Sequence, residues 1–573
     1  MIPRFEEIRD GIKLLTREVL QVAMEARDIL LKKDPYKSRN LYNRVAYVTT
    51  QVALVQKETL EMVFHRTSGP KDSLFLQAIS SIASRLDRVA DLLLNLDGQA
   101  GYLQDQSFLN AYHLEEFFTA IFKGLDLIYP AIEKRDVSLA VKLGQLEEKL
   151  DALYADRFQK LIAEFGGDVN PENLVTTLMI IHYLERTGDM FLEIGEKIIY
   201  FIMGENIKLE QFKALGAGLK ATGQSLEPSR LDFQSIWGGR SGCRIGVVGG
   251  QESEKPVLFK HGPAFKLNME RENLERWAAL RPGLTPEVKA FVPAREGQEA
   301  ALILEFVPSR TLQAFFLENA QVEALEGLKL AFETMIGLWR TTKEDKTSRA
   351  EFTRQAESRL SEATTLYPEL MSHFGSLGDL KIPPIEKLML KAKTVEAGLK
   401  APFTVRIHGD FNLSNLLYNP TTSSLRVIDL YRSRESDYIQ DVSVMLVSIV
   451  RLPVFEPKRR ELLTIAALEA SRLIDGFAKE MGDLTYESRL AFGLARSFVT
   501  STRYILKEKL AARFVSRARY LWGKLVEHSQ KGLSWPSFTF SREILRLSLL
   551  DEPTPIVPRP KVATPAKRGG KKA

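Results

Sequence analysis

From Arg4 to about Gly204, apolar residues recur three and four positions apart, as in "LFLQAISSIASRLDRVADLLLNL", with few prolines and little alternation. That period puts one apolar stripe on each helix and predicts an all-α region over 1–205. Two stretches inside it match at an offset of 98 residues, "LDRVADLLLNL" from Leu86 and "LERTGDMFLEI" from Leu184. An internal duplication is the economical explanation, each unit being long enough for about three helices packed as a bundle. The glycine, serine and proline of "KALGAGLKATGQSLEPSR" then suit a linker over 206–230. Short β-like runs follow, "RIGVVGG", "PVLFK", "VKAFVPA" and "AALILEFVP", broken by the helical "MERENLERWAALR". They predict a small sheet with one helix over 231–310. From 311 to 550 the pattern is helical again, apart from two strand-like segments around "FTVRIHGD" and "SLRVIDL".

Composition changes this picture little. With 45% hydrophobic and 27% charged residues, the 573-residue chain is of ordinary globular character, and its length predicts several domains. No uninterrupted apolar run reaches the ~18 residues of a membrane span, and the polar start "MIPRFEEIRDG" does not resemble a signal peptide. The expected location is the cytoplasm. One cysteine, Cys243, excludes an intrachain disulfide and a cysteine-rich zinc site, so oxygen and nitrogen atoms must serve any metal. Of the net charge of +6, the last 23 residues supply most, with six Lys or Arg against two acids. The remainder is close to neutral and gives no argument for nucleic acid. The proline-rich, basic stretch 551–573 is expected to be disordered, and it raises the possibility of a nucleic-acid or anionic-lipid contact that deleting it would test.

Candidate chemistry gathers at "VRIHGDFNLSNLLYN" and "VIDL". A phosphoryl-transfer site needs metal ligands, a carboxylate for the attacking hydroxyl and a cation on the phosphates. Asp410, Asn415 and Asp429 stand where adjacent strands would end, so their oxygens could converge on one ion. The order His408-Gly409-Asp410, Asn415, then Asp429 resembles the catalytic loop and metal-binding segment of the aminoglycoside phosphotransferase and choline kinase family, a branch of the protein-kinase-like fold. That resemblance implies Asp410 as catalytic base, Asn415 and Asp429 as Mg²⁺ ligands, and ATP as donor. It makes Asp441 a structural carboxylate at the start of the next helix, where it can accept exposed N–H groups, while His408 is expected to be a structural hydrogen-bonding residue rather than a catalyst. Upstream, Gly238, Gly239 and Gly242 would form the phosphate-approaching turn, Lys260 the strand lysine, and Glu272 its helix partner, with Glu270 and Glu275 on the same helix. This chain departs from the family at Asn412 and Ser414, where His and Gly are usual, and at Tyr431, where a second acid is common.

In "LERTGDMFLEIGEK" the acids Glu185, Asp189, Glu193 and Glu196 share one helix face, and Asp87 and Asp91 repeat the arrangement in the first unit. "LERTGD" with "IGEKIIYFIMGE" resembles the PhoU family of phosphate-homeostasis regulators, built from two three-helix bundles. The resemblance implies metal binding, of iron or zinc, at Asp87 with Asp91 and at Glu185 with Asp189.

The expected protein is therefore multidomain, an all-α PhoU-like double bundle followed by an α+β bilobal kinase-like domain. It would transfer the ATP γ-phosphoryl group to a hydroxyl acceptor, with the helical part sensing phosphate or metal. The alternative is a non-catalytic phosphate-homeostasis regulator with a nucleotide-binding pseudokinase domain. A phosphate-transport or signalling protein and a second copy of the chain are the partners such a resemblance implies.

Overall fold

The computed structural model describes residues 3–546 except 33–35, 65–68, 166, 168, 224–230, 237–241, 251–254, 295–298, 373–374 and 378–379. Gly238, Gly239 and the tail 551–573 lie outside the described residues. The chain divides into two compact units.

The first unit comprises Met1–Leu267 and Val288–Phe306. It opens with six long helices, α1 (Pro3–Lys32), α2 (Tyr36–Phe64), α3 (Pro70–Ala100), α4 (Glu115–Glu133), α5 (Val137–Glu164) and α6 (Pro171–Met203). These are two consecutive sets of three, as the duplication predicts, and the matching stretches fall on the third helix of each. Proline opens α3 and α6 at N1/N2, where its missing N–H costs nothing. Asp136 caps α5 and Asn170 caps α6 by accepting exposed N–H groups. Contact between α5 and α6 is close because Gly195 has no side chain: a Cβ there would stand 2.7 Å from the Ala140 carbonyl oxygen.

The expected linker contains a 13-residue helix, α7 (Leu209–Ala221). Gly218 serves packing there: a Cβ on it would meet Ile303 Cγ1 at 2.7 Å. Beyond it comes an antiparallel sheet of β1 (Leu231–Ser235), β2 (Arg244–Gly250), β3 (Val257–Pro263), β4 (Val288–Val292) and β5 (Glu299–Glu305), in the order β1-β2-β3-β5-β4. Phe212, Leu215 and Leu219 of α7 join the six helices to Phe259, Ala301 and Ile303 of the sheet in one buried apolar cluster.

Helix α8 (Ala264–Leu280) leads from β3 into the second unit, which takes in Asn268–Glu287 and the chain from Val307 onward. Its elements are β6 (Arg310–Thr311), α9 (Leu312–Leu317), α10 (Gln321–Thr341), α11 (Phe352–Leu366), α12 (Pro368–Ser372), β7 (Gly375–Leu377), β8 (Leu380–Ile382) and α13 (Ile385–Glu396). They continue with β9 (Val405–Ile407), β10 (Leu416–Asn419), β11 (Ser424–Val427), β12 (Arg434–Ser436), α14 (Ile439–Val450), α15 (Pro457–Glu480), α16 (Tyr486–Thr502) and α17 (Glu508–Gln530). Small antiparallel sheets, β11-β10-β6 and β12-β9, sit among these helices. No helix among the described residues is long and apolar enough to cross a membrane.

Candidate active site

Strand β9 is buried at all three positions, and His408 follows it directly. It pairs with β12, while β10 pairs with β11, so the strands that precede Asp410 and Asp429 are not hydrogen-bonded to each other as the sequence suggested. The His408 ring makes the connection instead. Its Nδ1 accepts from the Asp410 N–H at 3.2 Å and its Nε2 meets the Ile428 carbonyl at 3.0 Å, which fixes the neutral tautomer protonated on Nε2. Full burial pushes its pKa down and keeps it neutral. The Ile428 N–H in turn donates to the Asn415 carbonyl at 3.0 Å.

Gly409 adopts φ +84°, and a Cβ there would lie 2.4 Å from the Arg432 carbonyl oxygen. Only glycine permits both the left-handed backbone and that approach. Asp441, in the first turn of α14, does not cap its own helix; its carboxylate accepts from the N–H groups of His408 at 2.6 Å and Gly409 at 2.8 Å. Burial raises its pKa to about 7 against the opposing pull of those two bonds. The backbone of the His408–Gly409 loop is thus anchored by a buried carboxyl group.

Asp410 accepts from Arg432 Nη1 at 3.1 Å and from Asn412 Nδ2 at 3.2 Å, and its side chain keeps 28% of its exposure. The unusual Asn412 also caps the turn Leu413–Asn415 by accepting from the Ser414 N–H at 2.9 Å and hydroxyl at 2.6 Å. Asn415 donates its Nδ2 to the Asp410 carbonyl at 3.0 Å, which directs its amide oxygen away from that bond. Asp429 sits two residues past β11 in the left-handed region, φ +64° and ψ +51°. Such strain in a non-glycine residue is held by its surroundings. Here Asn273 of α8 donates to the carbonyls of Leu430 at 2.9 Å and Ser433 at 3.2 Å, and Trp277 Nε1 donates to the Ser433 hydroxyl at 2.9 Å. The oxygens of Asn415 and Asp429 are the donors a hard divalent cation prefers, so the residues fit magnesium.

On the first unit, Lys260 lies within β3 at 4% exposure, and Gly242 has φ +72°. On α8 the expected Glu272 is exposed and accepts from Asn268 at 3.0 Å, whereas Glu270 is 2% exposed. The helix faces differ because two residues are about 200° of turn. Glu270, present in the sequence as one of three equivalent-looking acids, is the buried one. Arg432 carried no signal that would join it to Asp410 before the fold was known.

The acidic stripes are divided. Asp87 accepts from Thr49 at 3.0 Å; Glu193 pairs with Arg85 at 2.9 Å, linking α6 to α3; Glu196 accepts from the Leu209 N–H at 3.2 Å and so caps α7. Glu185 and Asp189 face Asp151 of α5 electrostatically, and Glu147 faces Asp151 and Asp189. Burial first and these like charges second raise Glu147 and Glu185 to about 7, and Asp91 is raised by burial and Asp87. Arg186 pairs with Asp189 at 2.5 Å and His182 lies 3.3 Å from Glu185. Among the described residues no group of three or more His, Cys, Asp or Glu is gathered so as to hold a metal ion. The Glu147 and Asp151 pair, spaced by four, was the part of this carboxylate group that the sequence reading missed.

Residues 114–198 match the PhoU domain, and residues 252–472 match the phosphotransferase enzyme family. The phosphate-specific transport system accessory protein PhoU homolog 1 of Methanothermobacter thermautotrophicus is 22% identical over 209 residues, 35% of this chain and 94% of that protein. The PhoU homolog of Borreliella burgdorferi is 32% identical over 146 residues, 23% of this chain and 62% of that protein. Among solved structures, Streptococcus pneumoniae PhoU is 21% identical with a TM-score of 0.34, covering 35% of this chain and 97% of that one. A thermostable mutant of aminoglycoside phosphotransferase APH(4)-Ia, in ternary complex with ADP and hygromycin B, is 14% identical with a TM-score of 0.36, covering 53% and 96%. The chain thus carries a PhoU domain at 114–198 and an aminoglycoside-phosphotransferase-type family domain at 252–472.

Proposed function

We propose that this chain is an ATP-dependent phosphotransferase acting on a hydroxyl acceptor, regulated by its PhoU-like helices in response to phosphate or a metal ion. The observation that carries the reading is Asp410. A solvent-reachable carboxylate is held at the end of a buried strand by a loop whose backbone is pinned through His408 and Asp441. In the proposed step the acceptor oxygen forms a bond to the γ-phosphorus, the bond from that phosphorus to the β–γ bridging oxygen breaks, and ADP leaves. The hydroxyl proton passes to the Asp410 carboxylate. Asn415 and Asp429 would hold magnesium, which when bound compensates charge on the phosphate oxygens. Lys260 would add a cation on the phosphates, and Gly238, Gly239 and Gly242 would let backbone N–H groups approach them. Glu270, the buried acid of α8, replaces Glu272 as the proposed helix carboxylate.

Regulation is supported by the continuity of α7 with both the helices and the sheet that bears Lys260. The carboxylates of Asp87 with Asp91, and of Glu185 with Asp189, are the proposed sites for iron or zinc, with Glu147 and Asp151 beside the second pair. A phosphate-transport or signalling protein is the proposed partner and the cytoplasm the proposed location. The test is calorimetric titration of ATP with and without Mg²⁺, paired with ADP release in the presence of acceptors. Mg²⁺-dependent binding that disappears in Asp429→Ala is expected; equal binding by both proteins would refute the assignment.

The Arg432–Asp410 ion pair favours a second reading, in which the domain binds nucleotide without transfer. In that case Asp410→Asn leaves every nucleotide-dependent property unchanged.

A further inference from the structure

The acceptor is still unnamed, and the arginines around Asp410 bear on its chemistry. Among the described residues of this unit, four arginines are buried: Arg406, Arg460, Arg489 and Arg496, at 8, 4, 3 and 7% exposure. Three have partners that explain them. Arg406 pairs with Glu435 and Arg489 with Asp437 and Asp483, while Arg460 donates to the carbonyls of Val450 at 2.7 Å and Leu452 at 2.9 Å.

Arg496, on α16, is different. Its Nη2 donates to the Ser443 hydroxyl at 3.2 Å and its guanidinium lies 5.5 Å from the centre of the Phe352 ring, but its Nε has no hydrogen-bond partner. It makes no ion pair among the described residues. A guanidinium has five N–H donors, and burying it with so few partners is costly unless an anion completes the set. The charges that act on it most strongly include Asp410, Arg359, Arg432 and Asp441. Asp441 is already engaged by two backbone N–H groups and Asp410 by Arg432. Nor does α11 supply a free acid: Glu357 is paired with Lys393 at 2.6 Å and Glu362 with Arg503 at 2.6 Å, and Glu351 just before it with Arg354 at 2.9 Å. Arg359 of α11, half-buried, likewise makes no ion pair among the described residues. Burial lowers the Arg496 pKa to about 10; attraction to Asp410 opposes it, and repulsion from Arg359 and Arg432 adds to it.

We propose that Arg496 and Arg359 bind the oxyanion of the acceptor, so that the substrate is a small hydroxyl compound carrying a carboxylate or phosphate group, with its hydroxyl presented to Asp410. The inference rests on the reading of Asp410 as the base. The step is the one already written: the hydroxyl oxygen takes the γ-phosphoryl group, its proton goes to Asp410 and ADP departs. A cationic acceptor such as choline or an aminoglycoside would meet repulsion from three guanidinium groups at this place.

Calorimetry on the full chain saturated with Mg²⁺ and AMP-PNP tests it, with glycerol 3-phosphate and glycerate as the anionic probes and glycerol, choline and hygromycin B as the controls. At least one anion is expected to bind while the controls do not, and Arg496→Met is expected to weaken that anion about tenfold or more. Arg359→Gln, at a partly exposed position, serves should Arg496→Met fail to fold, and is expected to weaken the same anion several-fold. Binding of neither anion, preference for a control, or equal anion affinity in the variants would overturn the proposal. So would anion binding that AMP-PNP competes away, since the arginines would then belong to the nucleotide. Absence of AMP-PNP binding, with Arg496-dependent anion binding retained, would overturn the kinase reading alone and support the anion site.

Discussion

His408, Gly409 and Asp410 are consecutive, yet each answers a different physical demand. His408 is a neutral connector, bonded on both ring nitrogens and inaccessible to substrate. Gly409 is a backbone requirement: Gly409→Ala forces a Cβ against the Arg432 carbonyl in a left-handed backbone, and should cost about 2 kcal/mol or more in urea unfolding. Asp410 is the one of the three with a reachable side chain. Asp410→Asn keeps its shape and its bond to Asn412 but cannot take a proton, so kcat is expected to fall about 10²- to 10⁴-fold with nucleotide affinity retained. Asp441→Asn turns an acceptor of two N–H groups into a side chain with one oxygen and a competing NH₂. A loss of about 1 to 3 kcal/mol is expected in the same unfolding measurement.

At the scale of elements, α5 and α6 hold carboxylates at a cost. Glu147 and Glu185, raised to about 7 in the folded state, bind protons that the unfolded chain releases near an ordinary glutamate pKa. Their contribution to stability is therefore fully present below the unfolded pKa and declines as the pH rises toward about 7. Thermal melts of the full chain should show a smaller loss of Tm between about pH 5 and pH 8 in Glu147→Gln/Glu185→Gln than in the wild type. An unchanged pH profile would mean that these groups titrate normally. If the helices bind a divalent cation, adding Mn²⁺ at the upper pH should raise the Tm of the wild type more than that of the double variant, because the charge they offer it would be gone.

For the molecule as a whole, the joint between its two family segments is structural. Helix α7 buries Phe212, Leu215 and Leu219 among residues of both the bundle and the sheet, and Arg244 of β2 donates to the Asn206 carbonyl and to Gln211 at 3.2 Å. A flexible tether would let bundle and sheet unfold separately; a shared core makes them one cooperative unit. Hydrogen exchange should accordingly give the amides of α6 and β5 similar opening free energies. Gly218→Val, which drives a branched side chain into Ile303, should lower both together by about 1 to 3 kcal/mol. Separate responses would restore the linker view.

Much of this protein is determined by its sequence alone, because the signals are local. The period of apolar residues specifies two sets of three helices, and the spacing of Asp410, Asn415 and Asp429 specifies a loop flanked by short strands. Proline and the capping residues mark several helix starts. What tertiary structure decided depends on residues far apart in the chain. The glycines of 206–230 read equally as turn formers or as close-packing surface until Ile303 stands against Gly218. Glu270 and Glu272 are distinguished only by which face of α8 is buried. Asp441 reads only as a structural carboxylate at the start of its helix until the loop at His408 and Gly409, 33 and 32 residues earlier, brings it two N–H groups. Arg496 becomes informative only when burial shows that folding has surrounded a fixed positive charge with too few partners, a deficit that no local pattern encodes.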